Sequence, residues 1–243
     1  MTSKNMFIGC AGWQLPKDIQ NEFPAEGTHL QRYAKRFPAV EINSTFRKSH
    51  RPSTYSKWAD SVPDDFKFAV KIPRKISHDT ALSEIEPVHD FLAEIAELGD
   101  KMGPLLLQLP PTLAFEKTVA DDFFGAFRKA FDGQIVCEPR HESWFFKSVD
   151  QMLAAHQVAR VAADPAPVDS GDEPGGWQGV VYYRLHGSPR KYYSAYSEQA
   201  LKKFADAITK SAESAETWCL FDNTAAGAGT GNALALLEMS RED

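Results

Sequence analysis

The sequence predicts a single (β/α)8 barrel of the TIM type, and three observations support that fold class. Strand-like apolar runs recur along the chain, and most are separated by segments with helical periodicity. The length of 243 residues is close to the roughly 250 residues typical of such barrels. Polar and charged residues follow nearly every run at once, which is typical of the carboxyl ends of barrel strands. We therefore expect one domain over residues 1–243.

The composition narrows the class of protein further. Hydrophobic residues make up 43% and charged residues 25% of the chain, which are ordinary globular values. The formal net charge of -6 argues against nucleic acid held by overall positive charge, although a local basic groove is compatible with that sum. No run approaches the ~20 apolar residues of a membrane span, and no secretory signal is visible. We expect a cytoplasmic protein without a membrane partner, and the sequence predicts no oligomeric state.

The cysteines are few, and their spacing is not that of a metal-binding site. Cys10, Cys137 and Cys219 all lie in apolar strand-like runs, and no CxxC pattern is present. We interpret them as small buried hydrophobic residues in a reducing compartment.

The predicted strands are apolar runs, several of them rich in β-branched residues. They lie at 7–12, 39–46, 66–72, 104–109, the first half of 134–144, 159–164, 180–186 and 217–222. In the second run, Val40 and Ile42 alternate with Glu41 and Asn43, so the two polar side chains share one face. A doubly wound open sheet is the main rival, but it requires a GxGxxG turn after the first strand, and GCAGW does not provide one.

Helix start signals and apolar periodicity place helices in most of the connections. Four helices are predicted with both ends, at 52–58, 119–131, 197–211 and 231–239. Three more are predicted from their starts alone: one after Thr28, one at Pro87 and one at Ser148. Thr28 with Gln31, and Ser148 with Gln151, have the spacing of capping boxes. The connection 165–177 is rich in Pro, Gly and Asp, so the crossover between strands six and seven is predicted to lack a full helix.

Polar residues at the strand ends are predicted to meet, because the carboxyl ends of all strands in a parallel barrel open onto one face. Nearly every strand contributes to this set: Glu41, Asn43, Lys71, Gln108, Glu138, Arg140, Asp164, Arg184, His186, Asp222 and Asn223. The amino ends are mainly apolar by comparison. The alternative interpretation is a buried polar network whose members only satisfy one another.

The charges of this set limit the chemistry. Four carboxylates stand against three cations, Lys71, Arg140 and Arg184, so the rim is nearly neutral. A divalent metal usually requires a surplus of unpaired carboxylates or imidazoles, and no metal ligands or cofactor are predicted. The cations either pair with the acids or receive an anionic group of a ligand.

Glu138 is the first candidate for proton transfer, with His141 three residues away. Burial would raise its pKa and Arg140 would lower it, and the sequence leaves that balance open. His186 is the second candidate, and Gly187 after it permits close approach of a ligand. The remaining candidate catalytic residues are two further carboxylates, Glu41 and Asp222.

Aromatic residues surround the same loops: Trp13, Phe46, Trp144, Tyr192, Tyr193 and Tyr196. Trp13 and Tyr196 are candidates for stacking against a substrate, with packing of the core or a lid as the alternative. The polar, tyrosine-rich segment 187–197 is predicted to be a mobile lid. No G-x-S-x-G motif is present, so Asn43 and its neighbours are interpreted as orienting donors rather than as part of a serine triad.

Motifs spread over essentially the whole chain carry a family resemblance: IGCAGW, VEINSTF, SKWADSVPDDFKFAVKIPRKISH, GPLLLQLPP, EPRHESW, YYRLHG with YSAYS, FDNTAAG and NALAL. In these motifs the chain resembles the YecE-like family, domain of unknown function 72. The resemblance implies a β/α barrel and brings no established reaction. It also implies shared polar positions at Glu41, Asn43, Lys71, Gln108, Glu138, Arg140, His141, Arg184, His186 and Asn223. Pro139 and Asp222 depart from the residues usual in that family.

These observations lead to three functional hypotheses. The first is an enzyme acting by general acid/base chemistry on a polar anionic small molecule, such as a sugar or phosphorylated metabolite. In it, Glu138 and His186 exchange protons, and the other residues bind substrate: Lys71, Arg140, Arg184, Asn43, Gln108, Asn223, His141, Trp13 and Tyr196. The second is a metal-dependent hydrolase or isomerase, including one acting on phosphodiesters. The third is a non-catalytic ligand-binding or adaptor protein.

Overall fold

Ten strands form the framework of the protein, for which the computed structural model describes residues 5–240. They are β1 (Met6–Cys10), β2 (Ala39–Ile42), β3 (Lys67–Lys71), β4 (Met102–Gln108), β5 (Ile135–Glu138), β6 (Val158–Arg160), β7 (Ala162–Asp164), β8 (Gly175–Gly176), β9 (Val180–Leu185) and β10 (Glu216–Phe221). All eight predicted runs are present. The polar start of the chain at 1–4 and the end of the predicted domain at 241–243 lie outside the described residues.

The strands of the closed barrel pair in parallel, and the two-residue strand β8 is added to β6 in antiparallel orientation. Hydrogen bonds join β2, β3, β4, β5 and β6 in that order, and join β1, β10, β9 and β7 in a second series. The sixth predicted strand is divided at Val161, so that β6 pairs with β5 while β7 pairs with β9. On the opposite side, the Gly12 amide donates to the Glu41 carbonyl at 2.9 Å and links the end of β1 to β2. The two series therefore close into one parallel barrel with a single carboxyl-end mouth.

The described part of the chain contains seven α-helices, each of which follows a strand: α1 (His29–Ala34), α2 (Pro52–Asp60), α3 (Glu86–Ile95), α4 (Lys117–Ala130), α5 (Lys147–Ala155), α6 (Glu198–Ala212) and α7 (Ala228–Met239). The capping box of α1 is confirmed, because the Gln31 amide donates to Thr28 Oγ1 at 3.3 Å and the Thr28 amide donates to Gln31 Oε1 at 2.9 Å. None of the helices within residues 5–240 is long and apolar enough to cross a membrane.

Two further predictions for the connections have opposite outcomes. The crossover between β7 and β9 is confirmed to lack an α-helix, since it contains a short 3-10 turn, Asp169–Asp172, and the two-residue strand β8. The cap predicted at Ser148 is wrong. Helix α5 begins one residue earlier, at Lys147, and Phe146 precedes it without a side-chain cap. Ser148 therefore lies inside the first turn of α5 and cannot serve as its N-cap.

The amino-end half of the barrel interior is filled by aromatic side chains. The ring of Trp218 stacks on Phe7 at 4.7 Å and on Tyr182 at 6.2 Å between centroids. Gly103 makes room for this packing, because a Cβ atom there would lie 2.5 Å from the Trp218 ring. The interior is consequently closed by apolar packing below, which leaves the carboxyl-end mouth for polar side chains.

Candidate functional site

On six strands, the side chains that point into the barrel change from apolar to polar between one inward-facing position and the next. The apolar residues at the lower level are Ala39, Ala69, Leu106, Val136, Tyr182 and Leu220, which belong to one packed cluster. Two positions further along each strand lies the polar layer: Glu41, Lys71, Gln108, Glu138, Arg184 and Asp222. Alternate residues of a strand face the same side, so the members of the polar layer all point into the barrel above the aromatic core.

Arg184 is the centre of the polar layer. Its Nη2 and Nε atoms donate to both carboxylate oxygens of Glu41 at 2.8 and 3.0 Å. Its Nη1 donates to Glu138 Oε2 at 3.1 Å, and Nη2 also lies 3.0 Å from Asp222 Oδ2. Tyr182 Oη donates to Glu41 Oε2 at 3.0 Å from the core side. One guanidinium therefore holds three carboxylates, from β2, β5 and the end of β10, in one arrangement.

His186 lies between two of these carboxylates. Its Nε2 is 2.9 Å from Glu138 Oε1, and its Nδ1 is 3.1 Å from Asp222 Oδ2. The side chain connects Asp222 to Glu138 and is itself sealed from solvent.

The pKa of Glu138 is decided by the cations around it. Burial alone would raise this pKa, but the charges of Arg184, His186 and Arg140 outweigh burial and hold it well below its usual range. Arg140 Nη2 donates to Glu138 Oε1 at 2.9 Å. The sequence left open whether burial or the nearby cations decide the pKa of Glu138. The cations decide it, so Glu138 is an ionised carboxylate at neutral pH.

Asp222 shares this behaviour but has a different position. Burial would raise its pKa, whereas the charge of Arg184 and the hydrogen bond with His186 lower it. Asp222 is 7% exposed and lines a large cavity at the mouth of the barrel. It is therefore an ionised carboxylate that a ligand can reach.

That cavity, which we call the mouth cavity, has a volume of about 790 Å³. Its lining includes five of the predicted site residues: Trp13, Asn43, Lys71, Gln108 and Asp222. It also includes Ser44, which was interpreted with Asn43 as an orienting donor, and three polar side chains that sequence reasoning missed: His29, Arg47 and His78. These three lie in the segments that follow the strands, beyond the strand ends used to find the polar layer. For His78, the motif KISH at 75–78, shortly after β3, was the available signal.

Lys71 is the cation of the polar layer that reaches the mouth cavity. Its side chain is 6% exposed, and Nζ lies 4.3 Å from the centroid of the Phe46 ring. Burial, together with the charge of Arg184, lowers its pKa from 10.5 to about 8, although Glu41, Asp222 and Glu138 partly offset this effect. Among residues 5–240 no carboxylate lies within ion-pair distance of Nζ.

Several predicted substrate contacts are engaged with protein partners outside the mouth cavity. His141 Nδ1 contacts Ser143 Oγ at 2.8 Å, and Tyr196 Oη donates to Asp164 Oδ1 at 2.7 Å. Asn223 Nδ2 donates to the Ser194 carbonyl at 2.9 Å. The prediction treated each strand-end polar residue as facing the mouth. Here local turns direct these side chains into the loops instead.

Glu138 and Arg140 border a smaller cavity of about 310 Å³, together with Lys191 and several prolines. Glu41, Arg184 and His186 line neither cavity and lie beneath the mouth as a buried support. The predicted site residues are thus divided between a group that a ligand can reach and a group that fixes the first group in place.

The predicted lid, 187–197, crosses the rim and is attached at several points. The Ala225 amide donates to the Tyr192 carbonyl at 3.1 Å, and Arg140 Nη1 donates to Tyr192 Oη at 3.1 Å. The Tyr192 ring meets the His186 ring edge-on at 5.5 Å between centroids. The position of this segment matches a lid, and its mobility stays a prediction.

The carboxylates of the polar layer do not form a metal-binding group. Within the described residues, no set of three or more His, Cys, Asp or Glu side chains is arranged to hold a metal ion. The guanidinium of Arg184 pairs with Glu41, Glu138 and Asp222, which are three of the four carboxylates in the predicted strand-end set. These three carboxylates are therefore already bound to a cation of the protein.

The fold and the site define a (β/α)8-barrel protein whose polar mouth is built on a buried ion-pair network. The sequence profile of the family described as "Protein of unknown function DUF72" matches residues 7–243, and the chain belongs to this family. The chain is 31% identical to the UPF0759 protein YecE of Escherichia coli K12, over 67% of this chain and 60% of that protein. It thus spans about 60% of the length of that curated relative.

Solved structures support the same fold. A crystal structure of a DUF72 family protein from Thermotoga maritima superposes with a TM-score of 0.81 at 21% identity, covering 98% of this chain and 99% of that one. A protein described as a xylose isomerase-like TIM barrel/4-hydroxyphenylpyruvate dioxygenase fusion superposes with a TM-score of 0.53 at 12% identity, covering 97% of this chain and 42% of that one. The predicted TIM-barrel fold and YecE-like family are confirmed.

Proposed function

We propose that the protein is an enzyme that acts by general acid/base chemistry on a polar anionic small molecule, a sugar or phosphorylated metabolite. The observation that carries this proposal is that Lys71 and the ionised Asp222 line one cavity of about 790 Å³ above a fixed ion-pair network. Barrel enzymes carry their active sites at this end of the barrel. A cavity of that size accommodates a metabolite.

The charges of the mouth cavity favour an anion. Arg47 and Lys71 line it, with His29 and His78 beside them, against the single carboxylate of Asp222. Burial and the charges of Arg74 and Lys71 lower the pKa of His78, so this imidazole is neutral at pH 7. The cations would bind an anionic group, and neutral His78 would serve as a hydrogen-bonding partner.

Asp222 is the group best suited to exchange a proton with the substrate. Because its pKa is lowered, it is ionised before the substrate binds and acts first as a base. His186 contacts its Oδ2 at 3.1 Å and holds the carboxylate in position. Glu138 and His186, predicted from sequence as the proton-exchanging pair, are assigned in this proposal to positioning Asp222, since neither lines the mouth cavity.

Asn43 and Gln108 are assigned to substrate orientation. Both line the mouth cavity, and their amide groups offer donors and acceptors without adding charge. Trp13 lines the same cavity and packs edge-on against Trp58 at 5.0 Å between centroids, so its ring is held for stacking on a sugar.

The test is a turnover screen. Purified wild-type protein, Asp222→Asn and the control Asp65→Asn are each incubated with a defined mixture of sugar phosphates and related carboxylates, and depletion is followed by mass spectrometry. Asp65 is exposed before β3, at the amino end of the barrel. We expect wild type and Asp65→Asn to convert the same compound, and Asp222→Asn to be at least about 100-fold slower, the size of a general base contribution.

The same screen distinguishes the alternatives. Conversion that is unchanged in Asp222→Asn would contradict the assigned role. Compounds that raise the melting temperature of wild-type protein without being converted would support the ligand-binding hypothesis instead. Conversion that requires an added divalent ion would support the metal-dependent alternative.

A further inference from the structure

One amine in the mouth cavity has no acidic partner. The two arginines of the predicted strand-end set are engaged: Arg184 with three carboxylates and Arg140 with Glu138 at 2.9 Å. Lys71 Nζ instead faces the mouth cavity beside the Phe46 ring, and within residues 5–240 no ion pair to it is present. A buried lysine that serves only to neutralise acids would be expected to contact one of them directly.

The surroundings of Lys71 increase the share of neutral amine. The pKa of about 8 leaves roughly a tenth of the amine unprotonated at pH 7, about 300-fold more than for a lysine with the ordinary pKa of 10.5. Burial and a neighbouring cation are the two means by which proteins activate a lysine for attack on carbonyl groups. Here both are present, in burial and in Arg184.

The neighbours of Lys71 complete the requirements of carbonyl chemistry. Gln108 lies on the adjacent strand β4 in the same polar layer, where its amide can donate to a carbonyl oxygen. Asp222 lines the same cavity as an ionised carboxylate. The Phe46 ring lies 4.3 Å from Nζ and holds the amine on one side. Amine, hydrogen-bond donor and base are therefore present in one cavity.

We propose that Lys71 is a catalytic residue that forms an imine with an aldehyde or ketone group of the anionic substrate. The inference rests on the proposed function, because it uses the same cavity and the same base. The neutral Nζ attacks the carbonyl carbon and forms the C–N bond as the carbonyl π bond breaks. Asp222 transfers one amine proton from the nitrogen to the carbonyl oxygen, which gives a carbinolamine. Asp222 then accepts the second amine proton and delivers it to the hydroxyl group, whose C–O bond breaks as the C=N bond forms. Water leaves, and neither an oxidant nor a reductant is consumed.

Reductive trapping tests this proposal on the full chain. Wild-type protein is incubated at pH 7 with glyceraldehyde 3-phosphate and sodium cyanoborohydride, which delivers hydride to the imine carbon and leaves a stable secondary amine. Peptide mapping then gives the rate of modification at each lysine. We expect Lys71 to be modified at least about tenfold faster than the exposed Lys202 and Lys203 on α6.

Two controls define the origin of that rate. Lys71→Arg keeps the positive charge but is not a nucleophile for this reaction, so the fast adduct should disappear while the slow surface modification continues. Glyceraldehyde without phosphate should modify Lys71 more slowly than glyceraldehyde 3-phosphate does, because the anion contacts are absent. The rate at Lys71 in wild type should rise with pH and level off above about pH 8.

The outcomes separate this inference from the proposed function. Modification of Lys71 no faster than Lys202 and Lys203 would overturn the imine. Turnover that is lost in Asp222→Asn but kept in Lys71→Arg would also overturn the imine and leave the acid/base proposal standing. A fast Lys71 adduct in a protein whose turnover is unaffected by Asp222→Asn would support the imine and contradict the role of Asp222.

Discussion

Arg184 and Glu41 form a two-point ion pair, at 2.8 and 3.0 Å, in which both side chains are fully buried. The pair joins β9 to β2 across the barrel interior. Since neither charge can reach water, removal of one member leaves the other without compensation. This pair is therefore central to the stability of the mouth, and it limits how far the polar layer can be altered without loss of the fold.

Substitution of Glu41 should destabilise the protein strongly. In Glu41→Gln the side-chain volume is kept, but Arg184 loses one of its three carboxylates and Tyr182 loses an ionised acceptor. We expect the free energy of unfolding to fall by about 3 kcal/mol or more, as is typical for a broken buried ion pair. Urea unfolding at pH 7 measures this change. The matched control is Asp79→Asn, which breaks the exposed pair with Arg74 and should cost less than about 1 kcal/mol. Equal effects of the two variants would contradict the importance of burial.

The lowered pKa values of Glu138 and Asp222 predict loss of stability in acid. For a carboxyl whose folded-state pKa lies below its unfolded-state value, the stabilisation is complete above the unfolded pKa and is lost as the pH falls towards the folded one. The unfolded values are about 4.3 for Glu and about 3.9 for Asp. We therefore expect the free energy of unfolding to decrease steadily below about pH 4. Urea unfolding between pH 7 and 3 measures it, and Glu138→Gln should show a shallower decrease. A wild-type profile that is flat in this range would be inconsistent with the assigned pKa values.

The fold was predictable because its signals are local and repeated. Each strand is an apolar run, and Thr28 with Gln31 marked the start of α1 correctly. Predicted strand ends were less accurate. The second strand was expected to continue to Phe46, but β2 ends at Ile42 and a 3-10 turn, Ser44–Phe46, follows. In that turn the Thr45 hydroxyl donates to the carbonyls of Ile42 and Lys71, a tertiary contact that no local pattern reveals.

The candidate site was predictable in composition but not in its division into layers. Position at the carboxyl ends of the strands brought together the residues of the polar layer, including Lys71 and Asp222. It did not reveal that Arg184 would be sealed beneath the cavity, because that burial results from the three carboxylates that surround its guanidinium. It also missed His29, which is the first residue of α1 and reaches the cavity through the course of the preceding loop. Such contacts depend on loop conformation, and no periodic pattern in a single sequence indicates them.

Two glycines provide a matched test of the barrel packing. Gly103→Ala should lower the free energy of unfolding by about 1 to 3 kcal/mol, because the new Cβ would lie 2.5 Å from the Trp218 ring and overpack the core. Gly231→Ala is the control, since Gly231 lies in α7 and nothing is within 4 Å of its added Cβ. That variant should be stabilised by roughly 0.5 to 1 kcal/mol through helix propensity. Thermal and urea unfolding measure both. A neutral effect of Gly103→Ala would mean that the Trp218 ring can move aside.

Lys71 should reduce the stability of the protein at neutral pH. Its pKa falls from 10.5 to about 8 on folding, which corresponds to roughly 3 kcal/mol against the charged amine at pH 7. Between about pH 8 and 10.5 the unfolded chain binds more protons at this residue than the folded chain does, so this destabilisation is relieved as the pH rises. Lys71→Met keeps the length of the side chain without the charge. We expect it to raise the free energy of unfolding by about 1 to 3 kcal/mol at pH 7, and by less at pH 10.

Urea unfolding of wild type and Lys71→Met at pH 7 and pH 10 measures this difference. Lys202→Met is the control, because Lys202 is exposed on α6 and its removal should change the free energy of unfolding by no more than about 0.5 kcal/mol at either pH. A Lys71→Met variant that is less stable than wild type at pH 7 would mean that Lys71 stabilises the carboxylates of the polar layer more than its burial costs. A stabilised variant would instead indicate that this lysine is retained at a cost to the fold, as is typical of a residue needed for activity.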